Sequence, residues 1–151
     1  MRTSNHKQMI SKTLLTSLAS FGNYLSALDK SIIAKAQHSY REYRYTYAQV
    51  QRICDLINDK RNLHEIKQRI ENLLTRAPAK YEKVIYLFYH HDLSTLKIAE
   101  ILKVSQRTIF RYIASALDWF TMRIDEVIDP ISFTELLQNQ SWLRSIYNRS
   151  K

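Results

Sequence analysis

Arg107 and Arg111 stand one helical turn apart in the segment QRTIFRYIASAL, so both guanidinium groups leave the same side of a helix. A guanidinium is a planar fork of donors. It can grip two acceptors at once, such as O6 and N7 of guanine in the major groove, or two oxygens of a phosphate. With Ile109 set at the origin of a helical wheel, Ile113, Ala116 and Phe120 fall within about 40° of it, whereas Arg107 and Arg111 fall near about 160° and 200°. The first set predicts a buried stripe and the second an exposed one. No acidic residue occurs between Gln106 and Leu117, and Asp118 shares the outward side only two turns further on. Upstream lie Ser94, Thr95, Lys97, Lys103, Ser105, Gln106 and Thr108. Hydroxyls and amides at a helix N-terminus suit phosphate oxygens, and lysines add charge without sequence preference. These nine residues are the candidate contacts to double-stranded DNA.

Other chemistry has no comparable footing. The single Gly excludes a Gly-rich phosphate loop, and there is no nucleophile elbow. His90 and His91 are adjacent and would point about 100° apart on a helix, not along one face. His6, His38 and His64 are isolated, and no Cys/His set has zinc spacing. Cys54 shares a face with Tyr47, Val50, Ile53 and Ile57, which predicts a small buried hydrophobe, not a nucleophile. The carboxylates form no acid/base pair. The expectation is a protein that is not an enzyme, with no catalytic residue, no metal and no cofactor.

The elements that must position the arginines are helical throughout. The chain has 151 residues, 45% hydrophobic and 25% charged, with one Gly and two Pro, a composition that predicts an all-α fold of ordinary globular type. No run is apolar enough for a membrane span, the N-terminus lacks a secretory pattern, and one cysteine permits no internal disulfide; a cytoplasmic setting follows as an expectation. Net charge is +9, and residues 1–80 carry fourteen Lys/Arg against six Asp/Glu, so the positive field is weighted to the N-terminal half and favours an anionic partner.

Residues 7–38 predict one amphipathic helix, about 45 Å long. Its apolar members Leu14, Leu18, Phe21, Leu25, Leu28 and Ile32 follow an a/d spacing over nearly three heptads. That seam either packs on the same chain or pairs two copies in a homodimer. Residues 40–47, YREYRYTY, place four tyrosines and two arginines in eight positions, a pattern that either caps the core or stacks bases. The apolar residues of 47–57 and of Leu63, Ile66, Ile70, Leu73 and Leu74 point to nearly opposite sides, which predicts a break near Asp59–Asn62 with Asn62 and Glu65 as a capping box. Pro78 bounds the next segment. The boundaries so read are a helical packing and dimerisation region at 1–77, a helix-turn-helix domain at 78–129, and a C-terminal helix at 130–151, opened by a Ser132/Glu135 capping box.

Within 79–120, a helix over Tyr81–His91 precedes a short helix over Thr95–Leu102 capped by Ser94, a turn at Lys103-Val104, and a second helix capped by Ser105; the helical pattern then continues through Trp119, Phe120, Ile124, Val127 and Ile128 until Pro130 ends it. Ala99 is small where the two helices cross, and Val104 plugs the turn. This segment, LSTLKIAEILKVSQRTIFRYIASAL, resembles region 4 of bacterial sigma-70 factors and the similar domain of phage late-transcription regulators of Gram-positive hosts. The shared positions are Leu93-Ser94, Ile98-Ala99-Glu100, Leu102, Val104-Ser105, Thr108-Ile109 and Ala116-Leu117, and PAKYEKVIYLFYH resembles the helix that opens region 4. The resemblance covers about 40 residues. It implies a transcription regulator that reads duplex DNA, with RNA polymerase as a second partner. Lys103 departs from the family, which usually has Gly there; a left-handed lysine costs roughly 1 kcal/mol relative to glycine. No counterpart of sigma region 2 is found in residues 1–75, which argues against a complete sigma factor. Two alternatives stand beside this reading: a small terminase-like DNA-packaging subunit, and a polymerase-binding protein that does not read DNA.

Overall fold

The structure, a computed structural model, describes residues 5–41 and 46–150, apart from the side chains of 39–41. The fold is all-α, with no strand among the described residues. The helices are α1 (Asn5–Arg41), α2 (Tyr47–Thr75), α3 (Ala79–Ile85), α4 (Thr95–Leu102), α5 (Gln106–Met122), α6 (Pro130–Asn139) and α7 (Ser141–Arg149). A π-helical turn, Tyr86–His90, extends α3, and a 3₁₀ turn, Ile124–Glu126, follows α5. None of these helices is long and apolar enough to cross a membrane. Half of the Tyr/Arg segment at 40–47, residues 42–45, lies outside the described residues; of its side chains only Thr46 and Tyr47 are described.

The chain divides into two compact units, one formed by residues 1–19 and 69–151, the other by residues 20–68. These divisions fall inside α1 and α2. In the first unit the buried apolar residues come from every helix: Ile10, Leu14 and Leu18 from α1, Ile70, Leu73 and Leu74 from α2, Val84 and Ile85 from α3, Ile98 and Ala99 from α4, Ala116 and Phe120 from α5, and Phe133, Leu143 and Ile146 from the last two. Lys7 pairs with Asp125, and Arg76 with Glu126, each at 3.1 Å. In the second unit Lys60 of α2 pairs with Asp29 of α1.

Four expectations about local structure are corrected. The first is that α2 has no break near Asp59–Asn62. The conflict between two buried faces does not arise, because Tyr47, Val50 and Ile57 are exposed and only the stripe from Leu63 to Leu74 is buried. Asn62 therefore caps nothing, while Arg61 donates to Asn58 Oδ1 at 3.1 Å within the continuous helix. Cys54 is exposed for the same reason.

The second concerns the last helix, which Asp129, not Ser132, caps. The Ser132 amide and hydroxyl each donate to the Asp129 carboxylate at 2.8 Å, with Pro130 as the first helical residue. These bonds, the backbone one foremost, hold the Asp129 carboxyl below its ordinary pKa. Third, the C-terminal segment is two helices, divided at Gln140, whose extended backbone ends α6 and whose buried side chain accepts from Trp142 Nε1 at 3.1 Å. Fourth, α5 ends at Met122. The apolar residues beyond it are still buried, carried by the 3₁₀ turn, and Arg69 donates to the Val127 carbonyl at 3.3 Å there.

The proposed seam of α1 is not uniform. Leu14, Leu18 and Phe21 are buried within the single chain, while Leu25, Leu28 and Ile32 are half-buried.

Candidate nucleic-acid interface

Two left-handed residues set the geometry around α4. The π-helical turn closes with the His91 amide bonded to the Tyr86 carbonyl at 2.9 Å. Asp92 then takes φ 53, which turns the chain so that the Leu93 amide reaches the Leu87 carbonyl at 3.1 Å. Aspartate tolerates this region better than most residues. Ser94 caps α4 by accepting the Lys97 amide at 3.1 Å. At the other end Lys103 adopts φ 58 and ψ 44, and the Val104 amide bonds to the Ala99 carbonyl at 3.1 Å. The left-handed conformation expected of glycine at this position is thus held by lysine. Ser105 restarts the helix by accepting the Thr108 amide at 3.1 Å, and its hydroxyl also bonds the Thr108 hydroxyl at 2.8 Å.

A small apolar core fixes the two helices to each other. Ile98, Ala99 and Ile109 are buried in it, with Leu87, Phe88, Leu93, Leu102, Val104, Tyr112 and Ile113 packed around them. The alanine admits the close approach, and Val104 anchors the turn as its position in the sequence suggests. Lys80, at the start of α3, lies over the rings of Tyr81 and Tyr112 at 5.4 and 5.3 Å, tying that end of α3 to α5. Burial pushes the Tyr89 phenol up to about 12. Burial also raises Tyr86, with the carboxylates of Glu71 and Glu82 adding to the effect.

The first turns of α4 and α5 lie side by side. Gln106 Nε2 donates to Thr95 Oγ1 at 2.8 Å, across eleven residues of chain. Around this bond the structure gathers the residues singled out in the sequence. Ser94, Lys97, Lys103, Ser105, Gln106, Arg107 and Arg111 are exposed, and Thr95 and Thr108 are half-buried. On α5, Ile109, Ala116 and Phe120 are buried and Ile113 half-buried, so the arginine stripe faces away from the core as the wheel predicts. Lys97 is not a free cation, because Glu100 lies 3.8 Å from it. Its contribution to the local field is therefore reduced.

Two residues of this face were not singled out in the sequence. Phe110 is 56% exposed and Leu96 57% exposed. Phe110 falls about 100° from Ile109 on the wheel, closer to Arg107 than to the core direction. That angle was the available signal; hydrophobicity alone places a phenylalanine inside. Its ring offers an apolar surface beside the two guanidiniums. The face thus carries fixed donors, two unopposed arginines and an aromatic ring. His90 and His91 stack edge to face at 4.8 Å between ring centroids, and no cluster of metal-binding side chains occurs among the described residues.

Comparison of the chain with family models, with curated proteins and with solved structures finds no match.

Proposed function

We propose that the protein is a sequence-specific DNA-binding regulator of transcription, in which α4 and α5 act as a helix-turn-helix and the first half of α5 enters the major groove. The observation that carries this reading is the Gln106–Thr95 bond, which sets the N-termini of α4 and α5 side by side with Arg107 and Arg111 exposed on the second helix. Two helix N-termini with serine caps suit successive phosphates, and the arginines then face base edges. Arg107 and Arg111 read guanine, each worth about 1–3 kcal/mol of discrimination. Phe110 contacts a thymine methyl. Lys103, Ser94, Thr95, Ser105 and Thr108 position the helix on the backbone.

The likeness to sigma region 4 supports a role of the phage or mobile-element late-gene type, in the cytoplasm, in which RNA polymerase is the second partner. Exposed Ile101 on α4 offers an apolar contact for it. A single such module reads few base pairs, so the reading includes a homodimer on a palindromic site. The half-buried Leu25, Leu28 and Ile32 and the exposed Ile33, Tyr47, Val50 and Ile57 are the residues available to pair two copies.

Selection of bound duplexes from a random pool tests the reading. The wild type yields a consensus. Arg107→Ala with Arg111→Ala yields none, while its circular dichroism is unchanged. Selection of the same consensus by the double variant refutes the assignment. The mass of the protein–DNA complex separates a dimer from the ring of many subunits that a packaging role requires.

A further inference from the structure

The second unit contains a cleft of about 470 Å³ that plays no part in the reading of α5. It is lined by Ala34, Lys35 and His38 from α1 and by Gln49, Arg52 and Ile53 from α2. The spacing explains the convergence. Ala34 and His38, and Gln49 and Ile53, are separated by four residues, while Lys35–His38 and Gln49–Arg52 are separated by three, so each trio occupies one helix face. Ala34 and Ile53 supply apolar surface. The other four supply polar groups, and these are strongly biased toward donation.

Lysine and arginine only donate. The Oε1 of Gln49 already accepts the Thr46 amide at 3.1 Å at the start of α2, and its Nε2 amide is a donor. No carboxylate lines the cleft among the described residues. The nearest acid along α2, Asp55, accepts instead from Gln51 at 3.0 Å. Lys35, His38 and Arg52 make no ion pair among the described residues. A concave site with two cations, an imidazole, a donor amide and no acid calls for a ligand group that only accepts and carries more than one negative charge.

We infer that this cleft binds a phosphate group. Arginine meets a phosphate through two parallel bonds, and lysine meets it as a point charge. The volume exceeds what a bare ion fills and lies within the range of about 300–1,000 Å³ typical of sites for small organic ligands. The apolar surface of Ala34 and Ile53 accommodates the body to which the phosphate is attached. The inference is independent of whether α5 reads DNA.

The test uses the full chain and follows the imidazole signals of His38 by NMR, assigned with His38→Gln. The probes are inorganic phosphate, adenosine monophosphate, adenosine, and a 20-base-pair duplex, at matched ionic strength. Phosphate and the mononucleotide are expected to shift His38 saturably, adenosine is not, and Lys35→Gln with Arg52→Gln is expected to weaken the response at least tenfold without loss of helicity. Saturation by the two small probes assigns the site to a free phosphate or phosphate ester. A response to the duplex alone, lost in the double variant, assigns it to backbone phosphates. The inference is overturned if no phosphate-bearing probe gives a saturable shift, if adenosine matches the mononucleotide, or if the double variant binds as the wild type does.

Discussion

Replacing Lys103 by glycine stabilises the protein. Lys103 ends α4 at φ 58 and ψ 44 and is exposed, and its side chain makes no hydrogen bond or ion pair among the described residues, so the change removes no side-chain contact. A non-glycine residue in this region suffers a clash between Cβ and its own backbone worth about 1–2 kcal/mol. Glycine relieves it but makes the unfolded chain more flexible, which takes back about 0.4–1 kcal/mol. The midpoints of the two ranges leave a net gain of about 0.8 kcal/mol, or about 2–3 °C in Tm for a chain of this length. Differential scanning calorimetry of Lys103→Gly measures it. Lys103→Ala, which keeps the Cβ and loses only the ammonium, serves as the control and should leave Tm within about 1 °C of the wild type, as surface changes usually do. Equal gains from glycine and alanine would show that charge, not backbone strain, sets the effect. A fall in Tm with glycine would refute the left-handed assignment itself.

Three further outcomes follow from the same structure. Leu14→Ala empties a fully buried site and should lower stability by about 2–5 kcal/mol in urea unfolding, and Leu18→Asp should unfold the chain instead of yielding a folded monomer. Ser105→Ala removes the cap of α5 and should cost about 1 kcal/mol by the same assay, with Ser105→Asp retaining the cap. Asp129 has a folded-state pKa below its ordinary value of 3.8, so its contribution is complete above that value and is lost as pH falls through the depressed one; a pH series of melting temperatures should show the acid limb flattened in Asp129→Asn.

Much of the segment proposed to bind DNA was legible because its structure is made by near neighbours. Ser94 and Ser105 cap because their hydroxyls reach amides three residues on, and the wheel of α5 separates Ile109 from Arg107 without reference to anything else. The small core of Ile98, Ala99 and Ile109 is assembled within a dozen residues of chain. The all-α fold was equally legible, since a chain with one glycine and repeated three- and four-residue apolar spacing has little other use for its backbone.

What needed tertiary structure was which apolar stripe meets a partner. Periodicity assigns Tyr47, Val50, Cys54 and Ile57 to one face of α2 but cannot say whether anything covers it, and here all four are exposed. The predicted break in α2 failed for that reason alone: a straight helix can carry two apolar stripes if only one is buried. The same uncertainty divided the seam of α1, of which Leu14, Leu18 and Phe21 are buried and the rest are half-exposed. The cap of α6 turned on a competition between neighbours, which Asp129 won because Pro130 takes the first helical position and leaves the Ser132 amide facing the carboxylate. The cleft at Lys35, His38 and Arg52 had no sequence signal, because it exists only where one face of α1 and one face of α2 are brought together. Local hydrogen bonds are encoded within a few residues, whereas burial is a property of the whole fold.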